Sequence, residues 1–349
     1  MEKKYHALYK SLREGILNRE FAAGTKLPSK RTMADRWGCS VVTVAAAYAL
    51  LEQEGYIAPR QRSGYYVCQI DAVTEHPKEG AVSIEYLAPD DRERPEPLEY
   101  SLWFKTVRKV MAERGEELFR KSPNMGCAVL RNAIADYLHR YRGMLAQPRQ
   151  IIIGSGAEQL YESVIKMLGR EKIYGIENPC YEKITAVYRG EDAGICPLDM
   201  GSDGILSQKL WNERFDVLHV TPFNSYPSGI TASISKRYEY LNWAREHQGY
   251  IVEDDFASEF FLPGHPIQSL YSLDSADSVI YINTFSKSLS PSMRMGYMIL
   301  PEKLLGLYEE KLGAYSCTVP VFEQYVLADF IANGYFERHL NRVRRRMKD

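Results

Sequence analysis

Thr284-Phe285-Ser286-Lys287, followed by Arg294 and preceded by Asp254, brings together the residue types that hold an aldehyde and a phosphate. Lys287 sits just after Val279-Ile280-Tyr281-Ile282, an apolar, β-branched run that reads as a buried strand. A lysine at such a strand end is partly desolvated, its pKa falls, and the neutral amine can attack a carbonyl to form a Schiff base. Thr284 and Ser286 offer hydroxyls, and Arg294 offers a planar fork of donors suited to a phosphate dianion. Asp254 ends a second strand-like run, Tyr250-Ile251-Val252-Glu253, where a carboxylate can pair with a protonated pyridine nitrogen. These are the parts needed to hold pyridoxal 5'-phosphate. Taken singly they are weak: a lysine after a strand is most often solvated, and an aspartate there is often a helix cap.

Further pieces follow in order. Gly154-Ser155-Gly156-Ala157-Glu158-Gln159 is a glycine-rich turn into a helix, where N–H groups can cradle a phosphate. Strands are predicted at 150–153, 172–176, 217–220, 250–252, 279–282 and 296–300, with helices between them at 158–168 and 236–246. Helical spacing also covers 102–111 and 127–141. Alternating strands and helices predict a layered α/β domain with a mostly parallel sheet, whose ligands sit beyond the carboxyl ends of the strands. Lys287, Asp254 and the 154–156 turn all follow strands, so one shared site is expected.

The chain of 349 residues is long for one core, and 45% hydrophobic with 26% charged residues is a globular composition. Charge is uneven: residues 1–67 hold 11 Lys/Arg and 6 Asp/Glu, while the remainder holds 33 and 39. A basic end on an acidic body suggests that this end meets a polyanion. The six cysteines form no C-x-x-C pair and no His cluster accompanies them, so no metal site is expected; scattered thiols fit a reducing cytoplasm. No signal-peptide core and no membrane-length apolar run is present, so no membrane partner is expected.

At the basic end, Leu8, Leu12, Ile16 and Leu17 have a helical period. Ser29 then opens a second helix, Ser40 a third over 41–54, and Arg60 to Val67 reads as a short hairpin turning at Ser63-Gly64. Helix, helix-turn-helix and hairpin make a winged helix-turn-helix, with the last helix in the major groove and the wing on phosphates. Residues 69–83 are polar and proline-punctuated and read as a linker between a 1–68 domain and an 84–349 domain.

The pattern Leu27-Pro28-Ser29-x-Arg31, then Ser40-x-x-Thr43-Val44, then Glu54-Gly55-Tyr56 resembles the GntR family. The rest of the chain resembles the fold-type I, class I/II aminotransferases, and the two in this order resemble the MocR-type transcriptional regulators. That resemblance implies a winged helix-turn-helix fused to a three-layer α/β/α transferase domain. It implies homodimers that bind a double-stranded DNA operator and respond to a small amine or amino acid exchanging with Lys287, from an internal to an external aldimine.

It also places residues. Arg31, Ser40, Thr43, Arg62 and Gly64 become DNA contacts, with Ser29 and Thr43 equally placed as helix caps. Where the family has arginine the chain has Val41, so affinity rests on Lys30, Arg31, Arg60 and Arg62, which bind phosphate without reading sequence. Ala157 and Glu158 hold cofactor phosphate through backbone N–H groups, beside Ser155, Gly156, Thr284, Ser286 and Arg294. Tyr181, in Asn178-Pro179-Cys180-Tyr181, stacks on the pyridine ring. Tyr226 stands where ordinary aminotransferases have asparagine and MocR-type proteins an aromatic residue, and Asn224 replaces a common histidine. Glu253 to Phe260 matches the MocR element, with Asp254 as ring-nitrogen partner and Asp255 as the neighbouring alternative. Phe256 replaces a tyrosine whose hydroxyl tunes the imine, which argues against efficient transamination and leaves cofactor binding intact. The family's small C-terminal domain, beginning at the arginine-rich 322–347 segment, would need roughly a hundred further residues, including the arginine that grips a substrate carboxylate. The alternatives are a working aminotransferase with an accessory winged helix, and a degenerate regulator.

Overall fold

The computed structural model describes residues 4–18, 20–60, 63–68, 100–256, 258–260 and 268–346. The chain divides into two compact units, Met1–Leu87 and Ala88–Asp349. The expected linker at 69–83, the start of the second domain at 84 and the wing residue Arg62 lie outside the described residues.

The first unit contains α1 (Lys4–Leu17), α2 (Lys30–Trp37), α3 (Val41–Gln53), β1 (Ile57–Arg60) and β2 (Gly64–Val67). Leu8, Leu12 and Ile16 form one stripe on α1 and pack with Met33, Val44, Ala47, Leu51, Ile57 and Val67. Ser29 and Ser40 are both N-caps: each hydroxyl accepts the backbone N–H three residues on, from Thr32 and Thr43, at 3.1 Å. The Tyr48 hydroxyl donates to the carbonyl of Pro28 at 2.8 Å, tying α3 to the entrance of α2. The hairpin pairs Ile57 with Val67 through Arg60 with Gly64. Its first strand starts at Ile57, earlier than the expected Arg60, because Ile57 anchors it in the core.

The second unit is built on seven strands: β3 (Ile151–Gly154), β4 (Ile173–Asn178), β5 (Gly194–Asp199), β6 (Val217–Val220), β7 (Tyr250–Asp254), β8 (Val279–Thr284) and β9 (Gly296–Ile299). Their order is β3-β9-β8-β7-β6-β4-β5, and all run parallel except β9, which is antiparallel to both neighbours. The helices are α4 (Tyr100–Arg114), α5 (Ala128–Tyr137), α6 (Ala157–Leu168), α7 (Glu182–Gly190), α8 (Ser207–Asn212), α9 (Ile234–His247), α10 (Leu270–Leu273), α11 (Phe285–Ser288), α12 (Leu305–Leu312), α13 (Val321–Ala332) and α14 (Tyr335–Arg346). Alternation along the strands feeds two cores. Ile151, Ile153, Tyr281 and Tyr297 pack with α5, α13 and α14. Ile152, Ile280, Ile282 and Met298 pack with α6, α7 and α12. Both faces are therefore covered, giving the expected three layers.

The edge strand β5 is an addition to the predicted set. Its sequence, Gly-Ile-Cys-Pro-Leu-Asp, is half-buried and carries Pro197, which an edge tolerates and a central strand does not. The helix expected over 127–141 keeps its α form to Tyr137, continues as a π turn over Leu138–Arg142 and stops at Gly143, whose φ is 62°.

Candidate functional site at the carboxyl ends of the strands

The register brings the sequence-predicted residues to one end of the sheet. Gly154 pairs with Gly296, Gly296 with Thr284, and Asp254 with Ile282. β3, β7 and β8 thus finish at the same end of the sheet, with β9 between β3 and β8, as the rule for open α/β sheets requires.

Thr284 is buried at the end of β8 and opens α11, which Phe285 and Leu289 anchor in the core. Lys287, in the same short helix, stays more than a third exposed. Its ammonium lies 4.7 Å from the ring centre of Phe256 and 5.9 Å from that of Phe260. Desolvation lowers the Lys287 pKa, against an opposing pull from the Glu259 carboxylate. Ser286, half-buried, shares the same turn.

Asp254 ends β7 and is buried. Tyr161 of α6 donates to its Oδ2 at 2.5 Å, while Oδ1 is buried with no hydrogen-bond partner among the described residues. Burial pushes the Asp254 carboxyl up to about 7, with Tyr161 opposing and Asp255 adding. Behind Tyr161, His219 meets its ring edge-to-face at 5.0 Å, pairs through Nδ1 with the Tyr188 hydroxyl at 2.9 Å, and is driven down to about 3 by burial. Asp255 differs from its neighbour. Burial raises it, but the Arg142 guanidinium at 2.8 Å and hydroxyls from Ser258 at 2.6 Å and Tyr281 at 2.8 Å outweigh that, leaving it below the usual carboxylate range. Of the two aspartates, the one with an oxygen to offer is Asp254.

The glycine-rich turn bends at Gly156, whose φ is 102°. A Cβ there would come within 3.2 Å of Arg294 Nη2, so the guanidinium lies close over the bare backbone at the start of α6. Arg294 donates to Glu158 at 2.8 Å, and Lys183 reaches the same carboxylate at 3.3 Å. Burial raises the Glu158 carboxyl, and its own backbone N–H, Arg294 and Lys183 together bring it below the ordinary value. This arrangement departs from the expected one. The Ser155 N–H is engaged by the Gln159 side chain at 3.2 Å, and the Glu158 side chain, not only its backbone, takes part in this turn's contacts through Arg294 and Lys183.

Tyr181 and Tyr226 meet edge-to-face at 6.0 Å, with Lys183 Nζ 5.8 Å from the Tyr181 ring. Next to Tyr226, Ser225 donates to buried Glu177 at 2.5 Å, and burial pushes that carboxyl up to about 8. Sequence reasoning missed Tyr161, Lys183 and His219. Nothing in the chain's 25 tyrosines singles out Tyr161, and only its place on α6 beneath β7 reveals it.

In the first unit the expected DNA contacts among the described residues, Ser29, Lys30, Arg31, Ser40, Thr43, Arg60 and Gly64, are exposed or half-buried. Lys30 lies 5.0 Å from the ring of Tyr65, and Arg60 lies 4.2 Å from that of Tyr66. Arg31 opens α2 beside Lys30, and Gly64, with φ of 121°, begins β2. Thr43 shares its hydroxyl with Ser40 at 2.8 Å.

A small helix-turn-helix unit with a two-stranded wing, followed by a three-layer domain with a lysine, an aspartate and a glycine turn at its strand ends, defines a regulator built on an aminotransferase scaffold. Residues 4–67 match the model described as bacterial regulatory proteins, gntR family, and residues 99–348 match aminotransferase class I and II. An uncharacterized HTH-type transcriptional regulator, YdeL of Bacillus subtilis, is 34% identical over 98% of this chain and 76% of its own length. The probable rhizopine catabolism regulatory protein MocR of Rhizobium meliloti is 30% identical over 98% and 74%. The chain belongs to the MocR-type helix-turn-helix transcriptional regulators, in which a gntR-family winged helix precedes an aminotransferase class I and II domain.

Solved aminotransferases share the fold. The kynurenine aminotransferase of Pyrococcus horikoshii superposes with a TM-score of 0.65 at 24% identity, covering 72% of this chain and 65% of that one. LysN of Thermus thermophilus, an α-aminoadipate aminotransferase solved with N-(5'-phosphopyridoxyl)-L-leucine, gives 0.64 at 26%, covering 72% and 66%. The chain thus spans just under two thirds of each solved enzyme's length. Among the described residues, no helix is long and apolar enough to cross a membrane.

Proposed function

We propose that this chain is a cytoplasmic, homodimeric regulator that binds an operator through its winged helix and pyridoxal 5'-phosphate through its second domain, and that it responds to a small amine or amino acid. One observation carries the cofactor reading: Asp254 Oδ1, buried at the end of β7 and without a hydrogen-bond partner among the described residues, calls for a donor. A protonated pyridine nitrogen supplies one, and the residues around fit the rest of the molecule. Arg294 over the bare Gly156 backbone suits the phosphate. Lys287, with its lowered pKa, suits the aldehyde. Tyr181 and Tyr226 offer aromatic surface for the ring.

The cofactor, when bound, supplies a carbonyl carbon that primary amines attack. The chain's own residues would hold it in place, with Asp254 facing the pyridine nitrogen as its anionic partner and Lys287 offered as the amine nearest the aldehyde. Phe256, beside Lys287, has no hydroxyl to share in proton transfer, which favours sensing over turnover. Displacement of Lys287 is the event that would couple to operator binding.

The test is an absorption titration of the purified chain with pyridoxal phosphate, with Lys287→Ala alongside. A saturable visible band in the wild type that the variant lacks supports the reading. The same spectrum in both proteins refutes Lys287, and no band in either refutes the cofactor. Sustained turnover of an amino acid with a keto acid would replace the sensor reading with the enzyme one.

A further inference from the structure

The helix that the winged-helix reading sends into the major groove has almost nothing with which to hydrogen-bond a base. α3 reads Val-Val-Thr-Val-Ala-Ala-Ala-Tyr-Ala-Leu-Leu-Glu-Gln. No Asn, Arg or Lys occurs in it, and its one Gln, Gln53, is its last residue. Tyr48 is buried with its hydroxyl on Pro28, and the Thr43 hydroxyl is shared with Ser40. What α3 shows to solvent at its first turn is apolar: Val42 is 78% exposed and Val41 is 44% exposed. Val44, the next valine, is fully buried, so the exposed pair does not belong to the domain core.

The unit that carries the pair is cationic. Lys30 and Arg31 open α2, Arg60 ends β1, and residues 1–67 carry 11 Lys/Arg against 6 Asp/Glu. Two exposed valines on a unit with that charge balance fit a polyanion with an apolar feature. The major groove has one such feature, the 5-methyl group of thymine, which small apolar side chains contact. We propose that Val41 and Val42 read thymine methyl groups, so that operator recognition by α3 is methyl contact and not hydrogen bonding to guanine or adenine edges, with Lys30, Arg31 and Arg60 holding the helix against phosphates. This rests on the winged helix binding DNA.

The experiment uses the full chain. A duplex is first selected from a randomised pool, and each thymine of the selected site is then replaced by deoxyuridine, which removes only the methyl group. Wild type, Val41→Ala and Val42→Ala are titrated against each duplex. Both valines are exposed, so the variants keep the fold.

Expected is an affinity loss of about fourfold at one or two thymines, the factor that burying a single methyl group supplies. Expected also is that Val42→Ala or Val41→Ala binds the thymine and deoxyuridine duplexes equally at that position. A consensus site indifferent to deoxyuridine throughout overturns the proposal and leaves DNA binding standing. Valine variants that change self-association and not DNA affinity overturn it in favour of a protein contact. A pool that yields no preferred site overturns it together with the operator reading itself.

Discussion

Arg294 spends its guanidinium on Glu158, donating to that carboxylate at 2.8 Å directly over the bare backbone of Gly156. An acidic side chain therefore sits inside the proposed phosphate site, with Lys183 as its second partner. A phosphate arriving there must share Arg294 with Glu158 and meets its negative charge. Glu158→Gln keeps the shape and removes that charge. It is expected to tighten pyridoxal phosphate binding about threefold to fivefold, the small effect proper to a half-exposed pair. Spectroscopic titration measures it, and equal or weaker binding by the variant would show that Glu158 helps to hold the phosphate.

The buried carboxylates set how the ligand-free protein responds to pH. Burial raises Asp254 to about 7, Glu177 to about 8 and, with Asp255 adding, Glu253 to about 7, from ordinary values of 3.8 and 4.5. Between the ordinary and the raised values the folded chain binds more protons than the unfolded one. Their contribution to stability therefore falls as pH rises through that window, from about 4 to about 8, while His219, held down at about 3, contributes the opposite slope below its ordinary value. Asp254→Asn removes one contributor, so its ligand-free melting temperature should exceed that of wild type at pH 8 by about 2–5 °C, with the difference shrinking as pH falls and vanishing only below about pH 4. The same variant should bind pyridoxal phosphate at least about tenfold more weakly, since a neutral amide cannot pair with a pyridinium. Melting curves that keep the wild-type pH slope would place the slope in the other carboxylates.

Lys287 owes its lowered pKa to desolvation, and the rings of Phe256 and Phe260 supply part of the apolar wall. Phe256→Ala opens that wall to water. The lysine pKa then rises toward its ordinary value, and the neutral fraction at pH 8 falls. Acylation of Lys287 in the ligand-free protein, followed by peptide mass spectrometry, should be about twofold to fivefold slower in the variant at pH 8 and converge with wild type above pH 10. Faster labelling at pH 8 would mean that the ring acts by blocking access.

Lys287, Asp254 and the 154–156 turn could be read from the sequence because each follows an apolar run long enough to be a strand, and strand ends in an alternating α/β chain face one side. The partnerships could not. Glu158 and Arg294 stand 136 residues apart, and only the placing of β9 between β3 and β8 joins them. Asp254 and Asp255 are interchangeable as letters; they separate once Arg142, Ser258 and Tyr281 are seen to occupy one and Tyr161 half of the other. β5 was hidden because an edge strand holding Pro197 lacks both the apolar run and the alternation that mark its neighbours. The winged helix was legible almost throughout, since its caps, Ser29 and Ser40, are local features.

The two cations held against wing tyrosines lead to a prediction about salt. Arg60 lies 4.2 Å from the Tyr66 ring and Lys30 lies 5.0 Å from the Tyr65 ring, so both side chains are partly ordered before any DNA arrives. A pre-ordered cation loses less entropy on meeting a phosphate, and each phosphate neutralised releases condensed counterions. Arg60→Ala and Lys30→Ala should each lower the slope of log affinity against log salt by about one, and should weaken selected and random duplexes alike. Val42→Ala should leave that slope unchanged while altering preference among sequences, because a methyl contact releases no counterion. Fluorescence anisotropy at four or five salt concentrations separates the two behaviours. A wild-type slope in Arg60→Ala would mean that the β1 end of the wing does not reach the phosphates, and that α2, through Lys30 and Arg31, carries the electrostatic share of binding alone.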